Sequence, residues 1–401
     1  MSVRELEDVW RRESPHVLGA LLRRHGDLAD CEDAAQEALE AAARQWQELP
    51  GNPRGWLITV ASRRLIDRAR ADAARAGREL AVASEEPSPV PPERDDSLEL
   101  LLLCCHPALS RPSQVALTLR AVSGLSTAEI AAAFLVPEAT MGQRLSRARA
   151  TLREAGVRFE RPEPDDLPAR VAAVLDVLHL VFNEGYTRSA GRALLDGELT
   201  REAIRLTREL ERALPDHDEV AGALALMLLT QAREPARTDA RGDLVPLARQ
   251  DRSRWRRDEI AQGVAILERV LPRGPVGRFQ LQAAIAAVHA EAPDAAGTDW
   301  AQIRTLYDML ERVAPGPAVT LNRAVAVAME SGPAAGLTIV GGLLEDPRLA
   351  RHHRTHAVRA HLLELAGDRV GAADAFARAA GLTASLPEQR YLNRCAAEAR
   401  R

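Results

Sequence analysis

The chain has 401 residues, 46% of them hydrophobic and 27% charged, and a net charge of −4. That length holds two or three domains, and the balance is that of a soluble globular protein rather than a disordered one. All 53 basic residues are arginine and aromatics make up only 3%, so an alanine- and leucine-rich chain of this kind is predicted to be all-α.

The first ten residues, "MSVRELEDVW", are charged and lack the apolar stretch of a signal peptide. The first block, 1–78, reads as helices with short joints. In "DLADCEDAAQEALEAAARQW", Ala35, Ala38, Leu39, Ala42 and Trp46 share one face. Asp33, Gln36, Glu37 and Glu40 line another as an acidic-polar stripe. The loop "ELPGNPRG" follows, carrying Asn52 and Arg54, and then a helix opening at Trp56. Its 61–78 portion sets Arg63, Arg64, Arg68, Arg70, Arg75 and Arg78 against Asp67 and Asp72. One helix is acidic outside and the next strongly basic, as in a module that meets a basic protein on one side and nucleic acid on the other.

Residues 79–97 form an acidic, proline-rich linker expected to be extended. The second helical block spans 98–159. Within it "STAE" places Ser126 three residues before Glu129, a capping box at a helix start. Ile130, Ala131 and Phe134 supply a buried stripe, and "LVPEA" ends the helix, with Pro137 suited to the first turn of the next. There Met141, Leu145, Ala148 and Leu152 fall on one face, and Thr140, Gln143, Arg144, Arg147 and Thr151 on the opposite one. Two short helices, a tight turn and a basic outer face read as a helix-turn-helix whose second helix enters the major groove. By itself the pattern equally fits an amphipathic helix with solvated arginines.

These segments together, "DCEDAAQEAL", "WLITVASRRLIDRAR" and "LSTAEIAAAFLVPEATMGQRLSRARATLR", resemble regions two and four of extracytoplasmic-function sigma factors of bacterial RNA polymerase, over about residues 6–156. The resemblance implies that Asp33, Gln36 and Glu37, with Glu40 beside them, bind the clamp helices of the polymerase β′ subunit, and that the second block meets the β flap. It implies that the loop 49–55, with Asn52 and Arg54, receives a flipped base of the minus-ten element. The helix bearing Trp56, Arg63, Arg64, Arg68 and Arg70 then follows the melted strand, and Thr140, Gln143, Arg144 and Arg147 read the minus-thirty-five element. The acidic linker corresponds to the segment threaded through the polymerase cleft. Three positions depart from the family pattern: Cys31 stands for alanine, Arg63 for asparagine and Leu135 for a turn glycine. Arg63 puts the usual base contact in doubt, whereas Cys31 and Leu135 are expected to alter packing only.

After a second proline-acid break at 160–168, residues 169–401 are apolar-periodic segments separated by Pro and Gly, with no convincing strand. The segment resembles the large tetratricopeptide-like extension of one sigma subgroup. Ala360, Ala372, Phe376 and Ala379 fit that pattern; upstream, Ala335 and Pro347 fit less well, off the 34-residue period. Ten to twelve helices in stacked hairpins are predicted. "FNEGYTRSAG" offers Asn183, Glu184, Tyr186 and Arg188 as a regulatory docking loop, or else a helix C-cap at Gly185 with satisfied neighbours. "RQDRSRWRR" is a basic cluster around Trp255 that could touch nucleic acid or the acidic linkers.

Catalytic signals are poor. "HHRTH" lacks the glutamate of a zinc protease motif, "CCHP" reads as buried packing or a redox pair, and no Gly-rich phosphate loop or G-x-S-x-G appears. No cofactor, metal or enzymatic activity is expected. The four cysteines, Cys31, Cys104, Cys105 and Cys395, form no spaced framework, and the longest apolar run, 221–229, is too short to span a bilayer. A cytoplasmic protein with no membrane partner is therefore expected. The function expected is promoter recognition as an alternative sigma factor, controlled in cis by contact between the C-terminal domain and the sigma domains. In many relatives a separate anti-sigma protein does the silencing, and no such partner is legible here. A helix-turn-helix regulator that never binds polymerase, or an enzyme built on the C-terminal half, are the rivals.

Overall fold

The computed structural model describes residues 3–75 and 96–401. Arg78 and the linker up to residue 95 lie outside the described residues. The chain divides into two compact units, Met1–Leu178 and His179–Arg401. The described residues are helical almost throughout, so the all-α expectation holds.

In the first unit α1 (Val3–His25), α2 (Leu28–Gln45) and α3 (Pro53–Arg75) pack against one another. Gly26, at φ 78°, turns the chain between α1 and α2, and Asp27 caps α2 by accepting from Asp30 N at 3.0 Å. The α2 apolar face sits where its periodicity places it: Ala35, Ala38 and Ala42 are fully buried. Next come α4 (Ser97–Cys104), α5 (Arg111–Ala121), α6 (Thr127–Ala133) and α7 (Glu138–Glu154). Helix α4 carries leucine all round because it is buried all round, against α1 and α5. The residue before it, Asp96, is buried and paired with Arg23 at 3.1 Å, so the end of the predicted linker is anchored to α1. Gly19 makes room for this: a Cβ there would stand 2.4 Å from the Asp96 Cβ. Cys104 and Cys105 are buried, Cys105 lies 3.6 Å from the Thr118 hydroxyl, and burial pushes the Cys105 thiol up to about 12 and that of Cys104 well above its usual value.

Helix α8 (Leu167–Tyr186) runs across the division between units. The second unit continues through α9 (Gly197–Ala213), α10 (Asp218–Gln231), α11 (Arg257–Val270), α12 (Arg278–Glu291), α13 (Trp300–Val313), α14 (Pro317–Ser331), α15 (Pro333–Leu344), α16 (His353–Leu365), α17 (Arg369–Leu382) and α18 (Leu386–Ala399). From α12 on, each helix packs on the next, as hairpins stacked in sequence do. The apolar run at 221–229 is the middle of α10, buried by α9, α11 and α12. No described helix is long and apolar enough to cross a membrane.

Small residues set the hairpin spacing. Ala360 and Ala372 are both fully buried between α16 and α17. One hairpin earlier the equivalent position is Gly336 rather than Ala335: a Cβ on Gly336 would stand 2.6 Å from the Ala324 carbonyl and 2.7 Å from the Ala328 Cβ. The small position of this hairpin thus falls one residue later than Ala335. Two short strands were not anticipated: β1 (Ala190–Gly191) pairs in parallel with β2 (Ala384–Ser385), joining the two ends of this unit.

Candidate nucleic-acid interface

The helix-turn-helix is built as its sequence dictates. Ser126 Oγ accepts from Glu129 N at 3.1 Å and Ser126 N donates to Glu129 Oε2 at 2.7 Å, closing the capping box. Glu129 also receives Arg11 at 2.6 Å. Met141, Leu145, Ala148 and Leu152 are buried, while Thr140, Gln143 and Arg147 are exposed and Arg144 is half-buried. Three of the four candidate base readers thus face solvent on α7, and Phe134 is only half-buried.

The turn before α7 corrects one expectation. Leu135 adopts φ 52°, the left-handed region where glycine is at ease, and its side chain is half exposed. The departure from a turn glycine therefore acts on the backbone rather than on packing. Leu135→Gly is expected to stabilise the first unit by roughly 0.5–1 kcal/mol, since it removes the left-handed penalty and forfeits little buried area. Denaturant unfolding of the two proteins checks this, and a lower midpoint for the glycine variant would refute it.

On α2, Asp33 and Glu40 are exposed and Gln36 and Glu37 half-buried. Glu37 is bonded to Arg68 and lies 3.6 Å from Arg64, so the acidic stripe and the basic helix α3 share an ion-pair cluster. Arg63 and Arg70 are exposed without such a tie. In the preceding loop the Asn52 side chain accepts from Gly55 N at 2.8 Å, capping α3. Arg54 donates to the buried Glu13 at 2.8 Å, and the Trp56 ring meets Trp46 edge-on at 5.1 Å. Asn52 and Trp56 thereby come to the same end of α3.

Sequence reasoning missed the other half of the α7 arginines. Arg149 donates to Glu32 at 2.9 Å, and Arg153 holds Asp27 through two bonds, 2.6 and 2.8 Å. Arginine is concentrated on α7 because two faces use it, one outward and one against α2. Glu32 is buried, which pushes its carboxyl up, while Arg149 and Arg120 pull it down. The only advance signal was an acid on the apolar side of α2.

In the second unit, the "FNEGYTRSAG" residues are engaged with their own fold. Asn183 lies 3.3 Å from His179, Glu184 accepts from Ser189 N at 3.1 Å, Tyr186 lies under Arg237, and Arg188 pairs with Asp196 at 2.8 Å. The C-cap at Gly185 does not occur: α8 continues to Tyr186, and Gly185 instead permits the close approach of α9, with Thr200 N only 2.7 Å from where a Cβ would stand. The basic cluster around Trp255 is likewise internal. Trp255 and Arg252 are buried, Arg252 bonds the His289 and Ala292 carbonyls at 2.6 Å each, and Arg256 pairs with Glu234. In "HHRTH", His356 bonds the Ala350 carbonyl at 2.8 Å and His353 faces Glu388 at 3.3 Å.

Residues 9–75 match the family Sigma-70 region 2, and residues 99–152 match Sigma-70, region 4. The chain belongs to the extracytoplasmic-function sigma factors. Residues 170–271 of this sigma factor match a family of unknown function, DUF6596. The sigma factor is 42% identical over 394 residues to an uncharacterised protein of Rhizobium meliloti (strain 1021), covering 94% of this chain and 92% of that one. It is 28% identical over 157 residues to the probable ECF RNA polymerase sigma factor SigI of Mycobacterium tuberculosis, covering 37% of this chain and 54% of SigI. No solved structure matches it. Sigma factor families bind core RNA polymerase and promoter DNA.

Proposed function

We propose that this sigma factor docks on core polymerase through Asp33, Gln36, Glu37 and Glu40, with region four against the β flap. In this reading Asn52, Arg54 and Trp56 take a flipped minus-ten base, and Arg63, Arg64, Arg68 and Arg70 follow the melted strand. Thr140, Gln143, Arg144 and Arg147 read the minus-thirty-five element. The protein is a specificity subunit and not an enzyme. The domain limits are 1–78, 98–159 and 169–401, the last acting in cis on the other two.

The observation that carries the regulatory part is the α2–α7 contact. Two promoter elements about twenty-five base pairs apart are roughly 85 Å apart along B-form DNA. A recognition helix of 17 residues is only about 25 Å long. With Arg149 and Arg153 bonded to Glu32 and Asp27, both readers stay within one small body and cannot reach both elements. The ion-paired form is therefore a resting form, which engagement of polymerase opens and which the C-terminal unit biases.

The test is transcription from the cognate promoter with purified core polymerase, comparing the full chain with a chain ending at Leu178. That end point retains Asp176 and the Ala173 carbonyl, which hold Arg111 of α5. Promoter-specific transcription that depends on the full chain is expected, with an altered yield for the shortened one. Absence of any specific transcript would refute the sigma assignment, and identical yields would refute control in cis.

A further inference from the structure

In the second unit the half-buried Arg188, Arg205, Arg256, Arg304 and Arg323 and the exposed Arg269 each pair with a carboxylate, while the half-buried Arg208 bonds Gln262. The two arginines that are buried outright have no such partner. Arg237, 7% exposed, bonds the Tyr186 carbonyl and the Thr187 hydroxyl and lies over the Tyr186 ring at 3.7 Å. Arg252, 9% exposed, bonds the His289 and Ala292 carbonyls and lies 4.7 Å from the Trp255 ring centroid. Neither has a carboxylate within bonding distance.

Arg233 lies in the same neighbourhood, near enough for its charge to act on both. Its Nε is buried and has no hydrogen-bond partner, and no carboxylate pairs with it. Chain geometry brings these groups together. Arg233 and Arg237 flank a short 3-10 turn at 234–236. That turn packs against the one at 252–254, and Arg256 N bonds the Ala232 carbonyl at 2.9 Å. The His289 imidazole, edge-on to Trp300 at 5.4 Å, is held down to about 4 by burial and by Arg233 and Arg252 beside it. Tyr307 of α13 also lies within reach of the Arg233 charge.

The nearest acids are used elsewhere. Glu388 is 3.3 Å from His353 and accepts from Thr383 at 3.0 Å, Asp294 caps Gly297 at 2.8 Å, and Glu234 holds Arg256. Three guanidinium groups are thus gathered in a partly desolvated place with no bonded anion. Each desolvated charge costs several kcal/mol, and their mutual repulsion adds to it. Carbonyls and aromatic faces offset part of this for Arg237 and Arg252, whereas the buried Nε of the half-buried Arg233 has no hydrogen-bond partner. The two buried arginines brace loops; Arg233 braces nothing.

We propose that Arg233, with Arg237 and Arg252 behind it, forms a binding site for a small oxyanionic ligand, through a phosphate or carboxylate group. The planar forks of arginine match the paired oxygens of such groups, and a bound anion supplies the counter-charge the fold omits. The site gives the C-terminal unit a chemical input of its own and stands whether or not that unit acts on the sigma regions.

The experiment is thermal unfolding of the full chain with increasing pyrophosphate or, separately, citrate, at constant ionic strength. A saturable rise in Tm is expected with at least one of them. The stronger response to pyrophosphate assigns phosphate, and to citrate assigns carboxylate. Arg233→Met is expected to abolish the rise while leaving the ligand-free Tm unchanged or higher, because it relieves repulsion. Arg233→Lys keeps the charge but loses the fork and is expected to weaken the apparent affinity about tenfold. The site is refuted if neither anion gives a saturable rise, if the rise persists in Arg233→Met, or if Arg233→Met lowers the ligand-free Tm, which is what a purely structural arginine would do.

Discussion

Asp33→Arg is expected to reduce the affinity for core RNA polymerase by at least about a hundredfold, roughly 3 kcal/mol, the scale of reversing a charge inside a complementary interface. Asp33 is exposed on α2 and projects beside the buried Ala34, Ala35 and Ala38, so its replacement leaves the helix intact. Glu37 is a less clean choice. It is bonded to Arg68 and close to Arg64, and Glu37→Arg would set three arginines against one another across α2 and α3. The single Asp33 variant should therefore lose binding at unchanged helical content and Tm, whereas Asp33→Arg with Glu37→Arg should lose binding and some stability. Titration of labelled core with each protein measures the effect. Wild-type affinity for Asp33→Arg would remove α2 from the polymerase interface.

The second large effect is expected at the contact between α2 and α7. Arg149→Ala leaves Glu32 buried without its partner, and one of its oxygens, Oε1, already lacks a hydrogen bond. Removing one member of a buried ion pair costs about 3–5 kcal/mol. The first unit can avoid that cost by letting α7 leave α2, because water then reaches the carboxylate. The outcome is therefore opening rather than unfolding: amide exchange rises together in α2 and α7 while α16–α18 are unaffected. Arg153, which is exposed, contributes less to the contact, in the range of surface ion pairs. Glu32→Leu combined with Arg149→Leu removes both charges and should restore closure. If exchange rises in α2 alone, or if the double replacement fails to recover closure, Glu32 and Arg149 do not hold the two regions together.

Much of what the sequence by itself determined about this protein is local. The capping box of Ser126 and Glu129, the buried face Met141, Leu145, Ala148 and Leu152, and the alanine face of α2 all depend on residues three or four apart. Helix periodicity decides such contacts before any tertiary fold exists. The order of the two sigma regions was legible for the same reason, since each motif is one or two helices long. Tertiary structure alone decided which polar residues of those helices look outward. Arg149 reaches Glu32 across 117 residues of chain and Arg390 reaches Asp243 across 147. Periodicity sets Arg149 nearer the buried face than Arg147, but it does not name Glu32 as the partner. The basic stretch around Trp255 read as surface because six of its nine residues are charged, yet Arg252 is buried, since the carbonyls of His289 and Ala292, left open at the end of α12, accept its bonds. The same logic shifted the small position of the α14–α15 hairpin from Ala335 to Gly336 and paired Ala190 with Ala384. Local pattern sets which face of a helix is apolar; where a polar side chain finds its partner depends on loop closures that only the folded chain makes.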